Sequence, residues 1–128
     1  MTILLDAHTF LWFIAGDKRL SAVARSLIEE SAHKSVISAA TLWEIAIKTS
    51  LGRLILTTPF DELITEQLRI NGFQILTIEP EHLKRFIDLP FHHRDPFDRL
   101  LIAQAMAEEI AIVSVDGALD AYEVKRLW

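Results

Sequence analysis

Short apolar runs recur along the chain, each separated from the next by a helical pattern: Ile3-Leu4-Leu5, Val36-Ile37, Gln74-Ile75-Leu76 and Ala111 to Val115. Runs this short suit strands buried on both faces. Parallel sheets are built from such strands, because each crossover lays a helix over the sheet. The intervening segments supply those helices. Thr9 to Ala15 is closed by Gly16, and Ser21 is placed to cap a helix carrying Val23, Ala24, Leu27 and Ile28 on one face. A third helix runs from about Ala40 to Ser50 with Gly52 beyond it, and Thr58, Pro59 and Asp61 open a fourth that Asn71-Gly72 closes. Pro80 starts a fifth that stops before Pro90, and the longest begins at Asp95-Pro96 and reaches about Glu109. A helical turn over Ala118 to Tyr122 and an edge strand over Lys125 to Leu127 finish the pattern, while Lys48 to Pro59 is the segment expected to protrude. The order predicts a three-layer α/β domain.

Composition narrows the class. With 128 residues the chain is expected to form one domain with a real core. It has no cysteine, so disulfides, thiolate zinc sites and cysteine nucleophiles are excluded together. The start MTILLDAHTF lacks a cationic leader region, and no apolar run reaches the roughly 18–20 residues of a membrane span, which together predict a cytoplasmic protein with no membrane partner. A net charge of −5 argues against a general nucleic-acid coat. It does not argue against a nuclease, in which clustered acids hold a metal and local cations such as Lys48, Arg53, Arg94, Arg99 or Arg126 meet phosphate.

Ligands of open α/β sheets sit beyond the carboxyl ends of the strands, where strand order reverses. Asp6 directly follows the first strand and Asp116 the fourth; Glu44 lies early in the helix after the second, and Asp98 in the first turn of the long helix. Like charges brought together there would repel unless a cation stood among them. An all-oxygen set suits Mg²⁺ or Mn²⁺ rather than zinc. Ser114 is spaced to point the same way as Asp116, and Thr9 to bond Asp6; each could equally make a local bond to backbone. In the stretch "HHRDPFDRLLIAQA", Asp95 fits the N-cap with Pro96 at N1, leaving Asp98 at N3 as the expected ligand and Asp95 as a second candidate.

The segments "ILLDAHTFLW", "ISAATLWEIAIKTSLGRL", "HHRDPFDRLLIAQAMAE" and "IVSVDGALDAY", in that order, resemble the PIN-domain toxins of the VapC type over nearly the whole chain, including the terminal "RLW". The resemblance implies one PIN domain over residues 1–128, with a five-stranded parallel sheet. It also implies a Mg²⁺- or Mn²⁺-dependent endoribonuclease acting on RNA, a cognate antitoxin that blocks the site, and a homodimer. Carried over by motif, the acids are Asp6, Glu44, Asp98 and Asp116, with the "DPFDR" form offering Asp95 beside Asp98; Asp120, one turn beyond Asp116, is a further outer acid or, by preference, a solvated helix position.

Other residues carry two readings each. Glu44 needs a cationic partner in its apolar helix, either the metal or Lys48 at i+4; the resemblance favours the metal. Arg94 and Arg99 either face RNA phosphate or pair with a neighbouring acid. His92 and His93 are expected in solvent after Pro90, and Trp12, Trp43 and Phe97 in the core. Two rival functions remain: an inactive binding module of the same fold, and a receiver-type Mg²⁺-binding signalling domain. The receiver reading requires an acceptor Asp on a middle strand, where this chain has Thr77-Ile78-Glu79 after its third.

Overall fold

The computed structural model describes residues 1–128. Five strands, β1 (Thr2–Leu5), β2 (Lys34–Ser38), β3 (Gln74–Leu76), β4 (Ala111–Val113) and β5 (Arg126–Leu127), form one sheet ordered β3-β2-β1-β4-β5. Every pairing is parallel. The chain winds outward from β1 through β2 to β3, then returns to the other side of β1 for β4. The reversal therefore falls between β1 and β4, so the ends of those two strands define the crevice. β3 is an edge strand, whereas a receiver-type sheet sets its third strand beside the first. The receiver alternative is thereby ruled out.

Side-chain alternation covers both faces. Ile3, Leu5, Ile37, Ala111 and Val113 point into one core, and Leu4, Val36 and Ile112 into the other. Helices α1 (Ala7–Ala15), α2 (Ala22–Glu29) and α4 (Phe60–Asn71) supply Phe10, Ala24, Ile28 and Ile64 to the first core. Helix α6 (Pro96–Glu108) supplies Leu101, Ile102, Ala103 and Ala105 to the second, where α5 (Pro80–Asp88) packs through Phe86. Helix α3 (Ala39–Ser50) sends Ile45 into the first core. No helix is long and apolar enough to cross a membrane.

The start and stop signals read from sequence act as expected. Ser21 and Asp95 accept amide bonds at the starts of α2 and α6, and Gly16 and Gly72 end α1 and α4 in the left-handed region; Asp6, read only as an acid after the first strand, caps α1 as well. Three details differ. Val23 is exposed, because α2 turns Ala24 and Ile28 inward. The fourth strand stops at Val113 rather than Val115, since the Asp116 amide donates to the Ser114 hydroxyl and bends the chain out of the sheet. Only residues 51–59 of the predicted protrusion lie outside helix, because α3 continues to Ser50.

Candidate active site

Each acid is held by a local feature of the chain. Asp6 caps α1: its carboxylate accepts the Thr9 amide at 2.9 Å, and its own amide donates to Val113 O at the end of β4. One residue thus belongs to both strands at the sheet's reversal. Asp116 accepts the Ala118 amide at 3.0 Å and starts the 3-10 turn Gly117–Ala121. Asp95 caps α6 through the Phe97 and Asp98 amides, which leaves the Asp98 carboxylate free at N3. Glu44 lies on α3, half-buried.

Electrostatics show that these acids converge. Burial first, and then the charges of Asp95, Glu44, Asp6 and Asp116 in that order, push the Asp98 carboxyl from its ordinary 3.8 up to about 7. A carboxyl raised in this way binds a proton in the folded state that the unfolded chain has already lost. Its contribution to stability therefore falls as pH rises from about 4 to about 7. Such self-repelling oxygen donors fit a hard divalent cation, which would stabilise every charge in the set. His93, Asp98 and Asp116 each offer a ligand atom, and those atoms lie within 4.8 Å of one another.

His93 was missed in the sequence, where a loop position after Pro90 suggests solvent. Its amide instead donates to the Tyr122 hydroxyl at 2.8 Å, its ring leans on the Tyr122 ring, and its side chain is largely buried. Nε2 faces Asp116 Oδ2 at 3.8 Å, while Nδ1 is buried with no partner. Ligation through Nε2 would place the ring proton on that orphan Nδ1. Nδ1 is without a partner in either tautomer, so Nε2 is the ring atom that His93 presents at the edge of the acids.

Other expectations change. Arg99 does not face phosphate. It is buried, and its guanidinium donates to the carbonyls of Pro90 (2.9 Å), Phe86 and Leu89 (both 3.3 Å), lying over the rings of Phe91 and Phe86. It closes the C-terminal end of α5 and fastens that end to the start of α6, which carries Asp98. Glu44 pairs with Lys48 Nζ at 2.9 Å, the second of the two partners its position allowed. The Thr9 hydroxyl donates to Val113 O, so it is the Thr9 amide that serves Asp6. The Ser114 hydroxyl is taken up by the Asp116 amide, a local bond. Asp120 is held in a two-bond pair with Arg126, whose guanidinium keeps its carboxyl below the usual range. Arg94 is exposed, and Trp43, expected in the core, is 62% exposed.

A parallel sheet of this order with acids gathered at its reversal is what the resemblance to PIN domains anticipates, and the chain belongs to that family: the PIN-domain family model matches residues 3–125. Within the family it is VapC-like. It is 30% identical over 129 residues to Ribonuclease VapC22 of Mycobacterium tuberculosis (strain ATCC 25618 / H37Rv), covering 98% of this chain and 95% of that protein. Among solved structures, VapBC2 from Rickettsia felis, bound to a DNA fragment from its promoter, matches with a TM-score of 0.74 at 13% identity, covering 99% of this chain and 98% of that one. FitAcB from Neisseria gonorrhoeae matches with a TM-score of 0.69 at 20% identity, covering 98% and 96%. At those identities the structural matches speak for the fold.

Proposed function

We propose that residues 1–128 act as one PIN-domain endoribonuclease, the toxin of a type II toxin–antitoxin pair, that hydrolyses RNA phosphodiester bonds with Mg²⁺ or Mn²⁺. The observation that carries this reading is the convergence of Asp6, Glu44, Asp95 and Asp116 on Asp98 at the sheet's reversal. A relative that is a ribonuclease by name, and structural neighbours of the VapBC and FitAB kind, support it. An inactive binding module is the poorer reading, because self-repelling carboxylates cost stability that a site without chemistry has no reason to bear.

In this reading Asp6, Asp98, Asp116 and Glu44 hold the cation, with Asp95 outside them. A bound Mg²⁺ or Mn²⁺ supplies a Lewis acid for the phosphoryl oxygen and lowers the pKa of an attacking water. The chain's own residues do the rest. The caps made by Asp6, Asp95 and Asp116 fix their carboxylates without spending the second oxygen. Lys48 neutralises Glu44 and is free to turn to phosphate once that carboxylate is engaged. His93 presents Nε2 beside Asp116, at the edge of the acids.

The test is direct: the purified protein should cleave single-stranded RNA in millimolar Mn²⁺ or Mg²⁺ and lose that cleavage in excess EDTA. Mn²⁺ should also raise its melting temperature. Intact tRNA, rRNA and mRNA after incubation with metal would overturn the proposal. Its partners are the RNA, a cognate antitoxin and a second copy. Self-association is supported by apolar side chains left exposed on α5, Leu83 and Ile87 among them, and a monomeric mass at micromolar concentration would remove it.

A further inference from the structure

Trp43 lies in an unusual place for its chemistry. Helix α3 buries Ala40, Thr41 and Ile45 on its inner side, yet leaves its largest side chain 62% exposed, one residue before Glu44. Indole is among the side chains that gain most from leaving water, so an exposed one is informative when it borders a reactive site. Its single aromatic neighbour is Phe97, edge-on at 5.4 Å and 74°. Phe97 directly precedes Asp98, and its amide is held by Asp95. The pair thus bridges α3 and the start of α6, beside two of the acids.

We infer that the exposed indole of Trp43, braced by Phe97, is a stacking platform for an unpaired nucleobase next to the scissile phosphate. This rests on the ribonuclease reading. Charge alone gives the site a limited hold on RNA. A chain of net charge −5 with its acids gathered at the site attracts phosphate poorly. Two cations near the site are committed, Arg99 to backbone carbonyls and Arg126 to Asp120, which leaves Lys48 and the exposed Arg94 to meet phosphate. Stacking on an aromatic face gives affinity that does not depend on charge, and every base can supply it. A nucleotide whose phosphate meets the acids carries its base only one ribose away, within reach of α3. Bases inside a duplex already stack on their neighbours, so the platform selects unpaired ones.

The test compares wild type, Trp43→Ala and Trp43→Phe on a mixed-sequence single-stranded RNA in Mn²⁺. Binding to the same RNA without metal is read by tryptophan quenching. Trp43→Ala is expected to raise KM about ten-fold, with kcat changed far less, and to lose the quenching; Trp43→Phe should recover most of the loss. One abasic nucleotide beside the cleaved bond should cost wild type the same factor and cost Trp43→Ala nothing more. Cleavage by wild type with a KM indifferent to Trp43→Ala overturns the platform alone. So does a shift of Trp43→Ala from dimer to monomer with KM unchanged, since a second copy would then cover the indole. Wild type that quenches on RNA binding but cleaves nothing overturns the ribonuclease reading while supporting the platform.

Discussion

Asp98→Asn is expected to lower metal-dependent RNA cleavage roughly 10²–10³-fold while raising the melting temperature of the metal-free protein by a few degrees. The two effects share one cause. Asp98 is the carboxylate that the other acids act upon, pushed to about 7 by burial and by Asp95, Glu44, Asp6 and Asp116. Asparagine keeps the shape and the place at N3 but removes the charge, so repulsion is relieved and the cation loses a donor. The pH dependence gives a second readout. In EDTA the wild-type melting temperature should decline between about pH 4 and pH 7, because the folded state holds a proton there that the unfolded chain has released. In Asp98→Asn that part of the decline should vanish. A variant that melts lower than wild type in EDTA would show that Asp98 serves the fold, and the site would have to be assigned again.

The largest stability effect is expected at Arg99. Arg99→Ala should cost about 3–5 kcal/mol, lowering the melting temperature by roughly 10 °C or more. Truncation strands the carbonyls of Phe86, Leu89 and Pro90 in a buried place and removes a cation from between two aromatic rings. Arg99→Lys should recover only part of the loss, because an ammonium cannot span three carbonyls as a guanidinium does. Chemical denaturation of the three proteins decides the matter. A change within about 0.5 kcal/mol, ordinary for a surface residue, would mean the side chain is free and would restore its reading as a phosphate contact.

Arg99, His93 and Trp43 mark the limit of what the sequence could convey. Strands, caps and the acids were legible because each is a local pattern: an apolar run ended by an acid, an Asp-Pro before a helix, an Asn-Gly after one. The convergence of Asp6, Glu44, Asp98 and Asp116 followed from those patterns and the rule for strand ends. Long side chains were not legible in that way. Arg99 reaches back to residues 86–90, a choice set by where α5 stops relative to α6, and no spacing along the chain encodes it. His93 is drawn in by Tyr122, nearly thirty positions away. Trp43 was assigned to the core on hydrophobicity, but a helix packed on one core has an outward side as well, and Ile45, two residues on, took the inward one.

The ladder that seats β1 between β2 and β4 has a consequence for synthesis. Asp6 leaves the ribosome before its amide partner, Val113 O, and its fellow acid Asp116, which are made more than a hundred residues later. Contacts of such high sequence separation form late in folding. A nascent or truncated chain can complete α1, α2 and β2 and still hold only Asp6 of the four acids. Catalytic competence therefore waits until Asp98 and Asp116 have left the ribosome and β4 has paired with β1, and until then a protein that damages RNA is harmless to the machinery making it.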